Sequence, residues 1–342
     1  MGGDRLVKFD RDSLTTLDVP GFDLDGVTEA VGLSGDAGTS NDRGTLLEYE
    51  PDPQAMVSFG GRPGHDEVER YWVNDPYAFV VILHDGDAHS YHVVEPALSE
   101  FERRLLGRVL EDLRDILIHT ELFAEDAEDA GDEERVFKEG MIDLLEEYGV
   151  NVTPETFHRV FYYVWRAYLG GGKLDPVLRD PYIEDISCDG HDIPIYIYHV
   201  DYQNMETNVI YEEDELTSFI VRLAQQAGKT ISLENPLTST ILEDGSRVEL
   251  TYEDEITRRG STFTIRKFSE EPYTPIDLID SGTFSIEQMA YLWFAIENGR
   301  SLIFAGGTAS GKTTSMNAIS MFIPPRSKVI SIEDIPEIQL HH

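Results

Sequence analysis

Gly306-Gly-Thr-Ala-Ser-Gly-Lys-Thr313 matches the pattern G-x-x-x-x-G-K-[ST] at every fixed place, and this stretch decides how the C-terminal part of the chain is read. An apolar run, Leu302-Ile-Phe-Ala305, comes just before it, so a strand is predicted over Ser301–Ala305. A helix is predicted over Lys312–Met321. Strand, glycine-rich turn and helix form the context this spacing needs. The glycines let successive backbone N–H groups converge on a phosphate, which then rests at a helix N-terminus. The cradle comprises Gly306, Gly307, Thr308, Ala309, Ser310, Gly311, Lys312, Thr313 and Thr314. In it Lys312 reaches the β- and γ-phosphates, the Thr313 hydroxyl ligates Mg²⁺, and Thr314 adds a hydroxyl near the α-phosphate. ATP with Mg²⁺ is the expected ligand. The competing reading, an ordinary glycine-rich turn, is disfavoured by flanks of the right type.

Working outward, Ser331-Ile-Glu-Asp-Ile-Pro-Glu337 follows a second apolar run, Lys328–Ile332, also read as a strand. Acids leaving such a strand can hold a metal-bound water or accept a proton from an attacking one, which makes Glu333 and Asp334 catalytic candidates. Solvation of a strand end is the equal alternative for these residues.

The surrounding charge is uneven. The 342 residues carry 65 acids against 27 bases, a formal net charge of −38. Residues 1–150 hold 36 acids and 12 bases, whereas the last 42 residues hold three of each. A neutral tail suits a tetra-anionic ligand; the acidic remainder excludes a basic footprint for nucleic acid or an anionic membrane. Only 7 of the 27 bases are lysine, an acid-rich, lysine-poor surface that suits concentrated salt, where screening tames self-repulsion. Cys188 is the single cysteine, so no intramolecular disulfide forms and a reducing, cytoplasmic setting is expected. No apolar run approaches the ~20 residues of a spanning helix. His84, His89 and His92 lack the spacing that completes a zinc site, and Tyr162, Tyr163, Trp165 and Tyr168 read as helix packing.

Four segments are expected. Residues 1–62 form a flexible acidic arm. Residues 63–170 form a mostly helical domain with a hairpin (Tyr77–Leu83, Ser90–Val94) and helices over Pro96–His119, Arg135–Tyr148 and Pro154–Leu169, the last capped by Thr153. Residues 171–270 form a mixed α+β domain with strands at Ile183–Ser187, Ile193–His199, Asn208–Tyr211, Arg247–Tyr252 and Ser261–Phe268, and a helix over Glu213–Ala227. Residues 271–342 begin the phosphate-binding domain, with a first helix over Ser285–Asn298. The fold class is thus α+β N-terminal domains followed by an α/β P-loop NTPase domain.

Taken together, Gly306–Thr314, Ile323-Pro-Pro325 and Val329-Ile-Ser-Ile-Glu-Asp334 resemble the type II/IV secretion ATPase superfamily, in its archaellum-motor and pilus-assembly branch. Leu174–Gly190, Asp244-Gly-Ser-Arg-Val248, Arg259–Phe268 and Tyr273–Leu278 carry the resemblance into the second domain. The resemblance implies a RecA-like domain, incomplete here because the chain reaches His342 before a Walker B strand and His box. It further implies a homo-hexamer on the cytoplasmic face of a polytopic membrane platform protein, powering filament assembly or secretion; the acidic charge adds the expectation of no nucleic-acid partner. Glu333 and Asp334 match the family's acidic box, and Arg247 and Arg266 match arginines that project toward the nucleotide phosphates. By the residues alone, an arginine in a strand pair is more often a surface ion-pair residue. Ile335 and Thr238-Ser239 depart from the family pattern without touching the cradle. A DNA-transport ATPase of the same superfamily and a catalytically inert interaction module are the alternatives.

Overall fold

The computed structural model describes residues 43–119, 130–242, 244–268, 273–307, 310–333 and 338. Two compact units divide at Phe268/Ser269.

The N-terminal unit starts earlier than the sequence predicts. Residues 43–62, assigned above to a flexible arm, carry helices α1 (Arg43–Glu48) and α2 (Pro53–Met56). The reason is local: Leu46, Met56 and Val57 are buried in two separate cores, and Asp52 caps α2 by accepting the Gln54 N–H at 3.0 Å. The rest of the arm, 1–42, lies outside the described residues.

Nine strands follow: β1 (Asp66–Asn74), β2 (Ala78–His84), β3 (His89–Val94), β4 (Ile183–Cys188), β5 (Pro194–His199), β6 (Gln203–Ile210), β7 (Leu237–Ile241), β8 (Arg247–Thr251) and β9 (Thr262–Arg266). They form one sheet in the order β1-β2-β3-β6-β5-β4-β9-β8-β7, antiparallel except for the short parallel pairing of β3 with β6. The hairpin of the 63–170 segment and the strands of the 171–270 segment therefore share a single sheet. β2 is buried on both faces, which is why it reads as an unbroken apolar run. Val80 and Ile82 join the main sheet core, while Phe79, Val81 and Leu83 pack against Met56 and Val57 on the opposite side. Helix α7 (Glu213–Gln226) covers the main core with Leu216, Phe219, Ile220 and Leu223, and Gly228 at φ 65° turns the chain out of it.

A second core holds α3 (Glu100–His119), α4 (Ala130–Glu147) and α5 (Pro154–Tyr168), with α1 lying against them. Thr153 caps α5 as predicted, its Oγ1 accepting the Thr156 N–H at 3.3 Å. His158 ties three elements together. Its Nδ1 faces the Tyr77 hydroxyl at 2.8 Å and its Nε2 faces the Leu46 carbonyl at 3.2 Å, so the ring accepts from the tyrosine and donates to the carbonyl. Burial pushes its pKa down to about 4.

After α5, Gly170-Gly-Gly172 leads into α6 (Asp175–Arg179) as a close-packed elbow. A Cβ on Gly170 would meet Asp175 Oδ1 at 2.5 Å, one on Gly171 would meet Leu178 at 2.4 Å, and Gly172 sits at φ 60°. The α6–β4 turn buries Asp180 completely, where Oδ2 accepts the hydroxyls of Tyr71 (2.6 Å) and Tyr91 (2.8 Å) from the hairpin. This satisfied network joins the N-terminal hairpin to the later strands.

The C-terminal unit holds α8 (Pro275–Asp280), α9 (Ile286–Glu297) and α10 (Lys312–Ser320) around Leu278, Met289, Ala318 and Ile319. Here two expectations are corrected: neither 301–305 nor 328–332 forms a strand. Leu302 and Phe304 pack against the helices while Ile303 is 94 % exposed, the alternation of a strand with one covered face. A strand also needs a neighbour for its backbone groups, and among the described residues of this unit neither segment has one. Ile332 is accordingly 96 % exposed.

Candidate phosphate-binding site

The three helices of the C-terminal unit start differently, and the difference locates the site. Thr274 and Asp277 close a capping box on α8, as do Ser285 and Gln288 on α9, so orphan N–H groups at both starts have partners. Helix α10 has no side-chain cap and no acid in its first turn. Its N-cap is Gly311 at φ 75°, a left-handed conformation that costs glycine nothing, and its first helical bond runs from the Ser315 N–H to the Gly311 carbonyl. The first-turn N–H groups and the positive end of the helix dipole are thus left for an external anion.

The loop before it is shaped by its own polar groups. Ser310 Oγ donates to the Gly307 carbonyl at 2.8 Å, and Lys312 Nζ donates to that same oxygen. A Cβ on Gly306 would meet Ser310 Oγ, the end of a rotatable side chain, so glycine there lets Ser310 keep its bond to Gly307. Tight glycines, a convergent lysine and an uncapped helix start fit the phosphates of a nucleotide; Thr313, in the first turn, carries the hydroxyl suited to its Mg²⁺. Thr314 is half-buried in the same turn, and Thr308 and Ala309 lie outside the described residues.

The remaining candidates fall in two places. Glu333 is half-buried and accepts the Ile338 N–H at 3.0 Å; Asp334 lies outside the described residues. Arg247 and Arg266 belong to the other unit, where they are cross-strand partners on β8 and β9. Both sit outside the core, in alternation with buried Val248 and Ile265. Like charges placed directly opposite repel. Asp185 on β4, the partner of Arg266 on its other side, offsets this with an ion pair at 3.4 Å. Sequence reasoning missed Asp185. A β-bulge between Ile183 and Asp185 lets both Ile183 and Ile186 point inward, and three-residue spacing of buried isoleucines was the available signal. Cys188 is buried, and desolvation pushes its thiol up to about 11, an inert small hydrophobe. Among the described residues no cluster of His, Cys, Asp and Glu is arranged to hold a metal, and no helix is long and apolar enough to cross a membrane.

Comparison with known proteins gives two matching family models: a PilB3-like N-terminal domain over residues 40–97 and the type II/IV secretion system protein family over residues 240–342. An uncharacterized protein of Methanocaldococcus jannaschii is 34 % identical over 296 residues, covering 80 % of this chain and 52 % of that protein. The chain thus spans about half the length of this relative. The type IV secretion system protein PtlH of Bordetella pertussis is 29 % identical over 37 % of the chain and 43 % of its own length. Among solved structures, the VirB11 ATPase from the Brucella suis type IV secretion system, crystallised with sulphate, is 26 % identical over 49 % of this chain and 56 % of that one, with a TM-score of 0.29. The loop before α10 falls inside the secretion-family match, and residues 240–342 of the chain belong to the type II/IV secretion system protein family.

Proposed function

We propose that the chain is the ATP-binding and ATP-hydrolysing portion of a motor subunit that powers type IV filament assembly, of an archaellum or a pilus, or protein secretion. The observation that carries this reading is the uncapped, acid-free start of α10, with Gly311 in a left-handed conformation at its N-cap and Lys312 turned back over the loop before it. Gly306–Thr314 hold the phosphates, Lys312 supplies the cation, and Thr313 holds Mg²⁺, whose charge offsets that of the transferring phosphoryl group. Glu333 and Asp334 orient water, and Arg247 and Arg266 are the arginines assigned to the nucleotide phosphates. A homo-hexamer docked on a polytopic membrane platform at the cytoplasmic face is the proposed assembly.

Calorimetric titration with ATP and Mg²⁺, followed by phosphate-release assays, tests the reading. Binding that Lys312→Ala removes, at an unchanged melting temperature, supports it; equal binding by that variant overturns it. A second reading, an inert interaction module, is favoured by the unpaired segments 301–305 and 328–332. It predicts no ATP binding by the unaltered chain.

A further inference from the structure

The two edges of the sheet are built in opposite ways. β1 is defended: Asp66, Glu67, Glu69 and Arg70 charge it, and register shifts at Glu67/Glu69 and Trp72/Asn74 twist it away from regular pairing. β7, Leu237-Thr-Ser-Thr-Ile241, has no charge, no proline and no bulge, and among the described residues it pairs only with β8. Such an edge is a template for another strand unless something occupies it.

The register says which groups are offered. Tyr252 N–H donates to the Pro236 carbonyl and Leu242 N–H to the Ser246 carbonyl. Hydrogen-bonded pairs alternate in an antiparallel ladder, so Thr238 and Thr240 bond β8. The N–H and C=O groups of Leu237, Ser239 and Ile241 therefore point out of the sheet. The side chains of these three residues are exposed too, Leu237 at 61 % and Ile241 at 44 %, while Thr238 and Thr240 are half-buried.

The chemistry of an occupant follows. It must be extended, because only a strand meets three N–H and three C=O groups at this spacing. On the open face it needs aliphatic side chains beside Leu237 and Ile241. Between them Ser239 pairs with Glu249, and Glu234 and Asp244, both exposed, stand in the turns at either end. Arg247, opposite Ile241, is the cation of this rim. The acidic balance calls for basic residues at the centre and ends of the added strand. A second copy of the chain brings the same acidic rim and a net charge of −38, so it is the poorer match. We propose that β7 is a strand-addition site for an extended segment of a partner protein with the pattern aliphatic-x-basic-x-aliphatic.

The test uses the whole chain at a salt concentration that keeps it folded, with the capped peptide Lys-Val-Thr-Lys-Thr-Val-Lys as probe and amide hydrogen exchange as readout. In the free chain Leu237, Ser239 and Ile241 amides exchange fast and Thr238 and Thr240 amides are protected. The peptide at millimolar concentration should slow the first three at least ~10-fold, and a peptide with Glu at the central place should do so at least ~10-fold less well. Ser239→Pro removes one outward donor without touching the β7–β8 ladder, and Ser239→Lys adds a repelling charge; either should abolish the protection. If Ser239→Pro fails to fold, Ser239→Lys decides. Unchanged exchange at these three amides overturns the proposal, as does equal protection in Ser239→Lys. Protection that grows with protein concentration in the absence of peptide also overturns it, in favour of self-pairing.

Discussion

The two units deal with their unsatisfied groups in opposite ways. In the N-terminal unit most demands are met internally, the buried Tyr211 hydroxyl, which has no hydrogen-bond partner among the described residues, excepted. The Asp180 carboxylate takes two tyrosine hydroxyls, His158 uses both ring nitrogens, and β2 buries both its faces. In the C-terminal unit a helix start has no side-chain cap, and Ile303 and Ile332 are almost fully exposed. The lesson is that the groups a fold leaves open, more than the groups it satisfies, mark where other molecules act. β7 is the solvent-exposed exception inside the closed unit, and there too the open groups locate the inference.

Substitutions can break this contrast, and the largest effect is expected in the closed core. Phe263, buried against Tyr211 and Phe219, should cost about 3–5 kcal/mol when changed to Ala, whereas Ile303→Ala should stay within about 0.5 kcal/mol. Urea unfolding checks this in a Trp293→Phe background, where Trp72 and Trp165 report the N-terminal unit, with calorimetry for the other; similar losses at both sites would erase the contrast. Next, Lys312→Ala should weaken ATP binding by about 2 kcal/mol, roughly 30-fold, because a charge-assisted contact to phosphate is lost. Its melting temperature should not move, since among the described residues Lys312 Nζ bonds within its own loop.

Acid should separate the units more gently. The folded-state pKa of His158 is depressed to about 4, below its ordinary 6.5, so its stabilisation is complete above about pH 6.5 and is lost as pH falls toward 4. The slope due to this residue is at most about 1.4 kcal/mol per pH unit, and His158→Gln should flatten it in urea midpoints measured from pH 7.5 to 4.5. An unaltered slope in that variant would show that the ring is not the acid-sensitive contact. The smallest effect concerns the helix starts. Ser285→Ala should cost about 1 kcal/mol by opening the α9 capping box, detectable by calorimetry; no loss would mean that capped and uncapped starts are energetically alike here.

What was legible in the sequence is what local chemistry decides. The phosphate loop needs glycine, lysine and hydroxyl residues at fixed spacing, and those are read directly. Thr153 before Pro154 placed the start of α5 correctly because caps act within four residues. β1 and β7 escaped notice for a physical reason. Both are edge strands, so neither must be apolar on a face, and Asp66–Asn74 and Leu237–Ile241 show no clear two-residue alternation. Residues 43–62 were misread because short helices anchored by single residues such as Leu46 leave no periodic trace.

By itself, then, the sequence determined the candidate phosphate loop, the Thr153 cap, the buried β2 run and the family resemblance, all of which depend on residues near each other in the chain. Only the tertiary structure decided that the hairpin shares a sheet with strands a hundred residues later, that Asp185 stands beside Arg266, and that Leu237, Ser239 and Ile241 face outward. It alone showed 301–305 and 328–332 without strand partners. Strand pairing is a contact between distant segments, its register is fixed by which face is buried, and neither is written in any one segment.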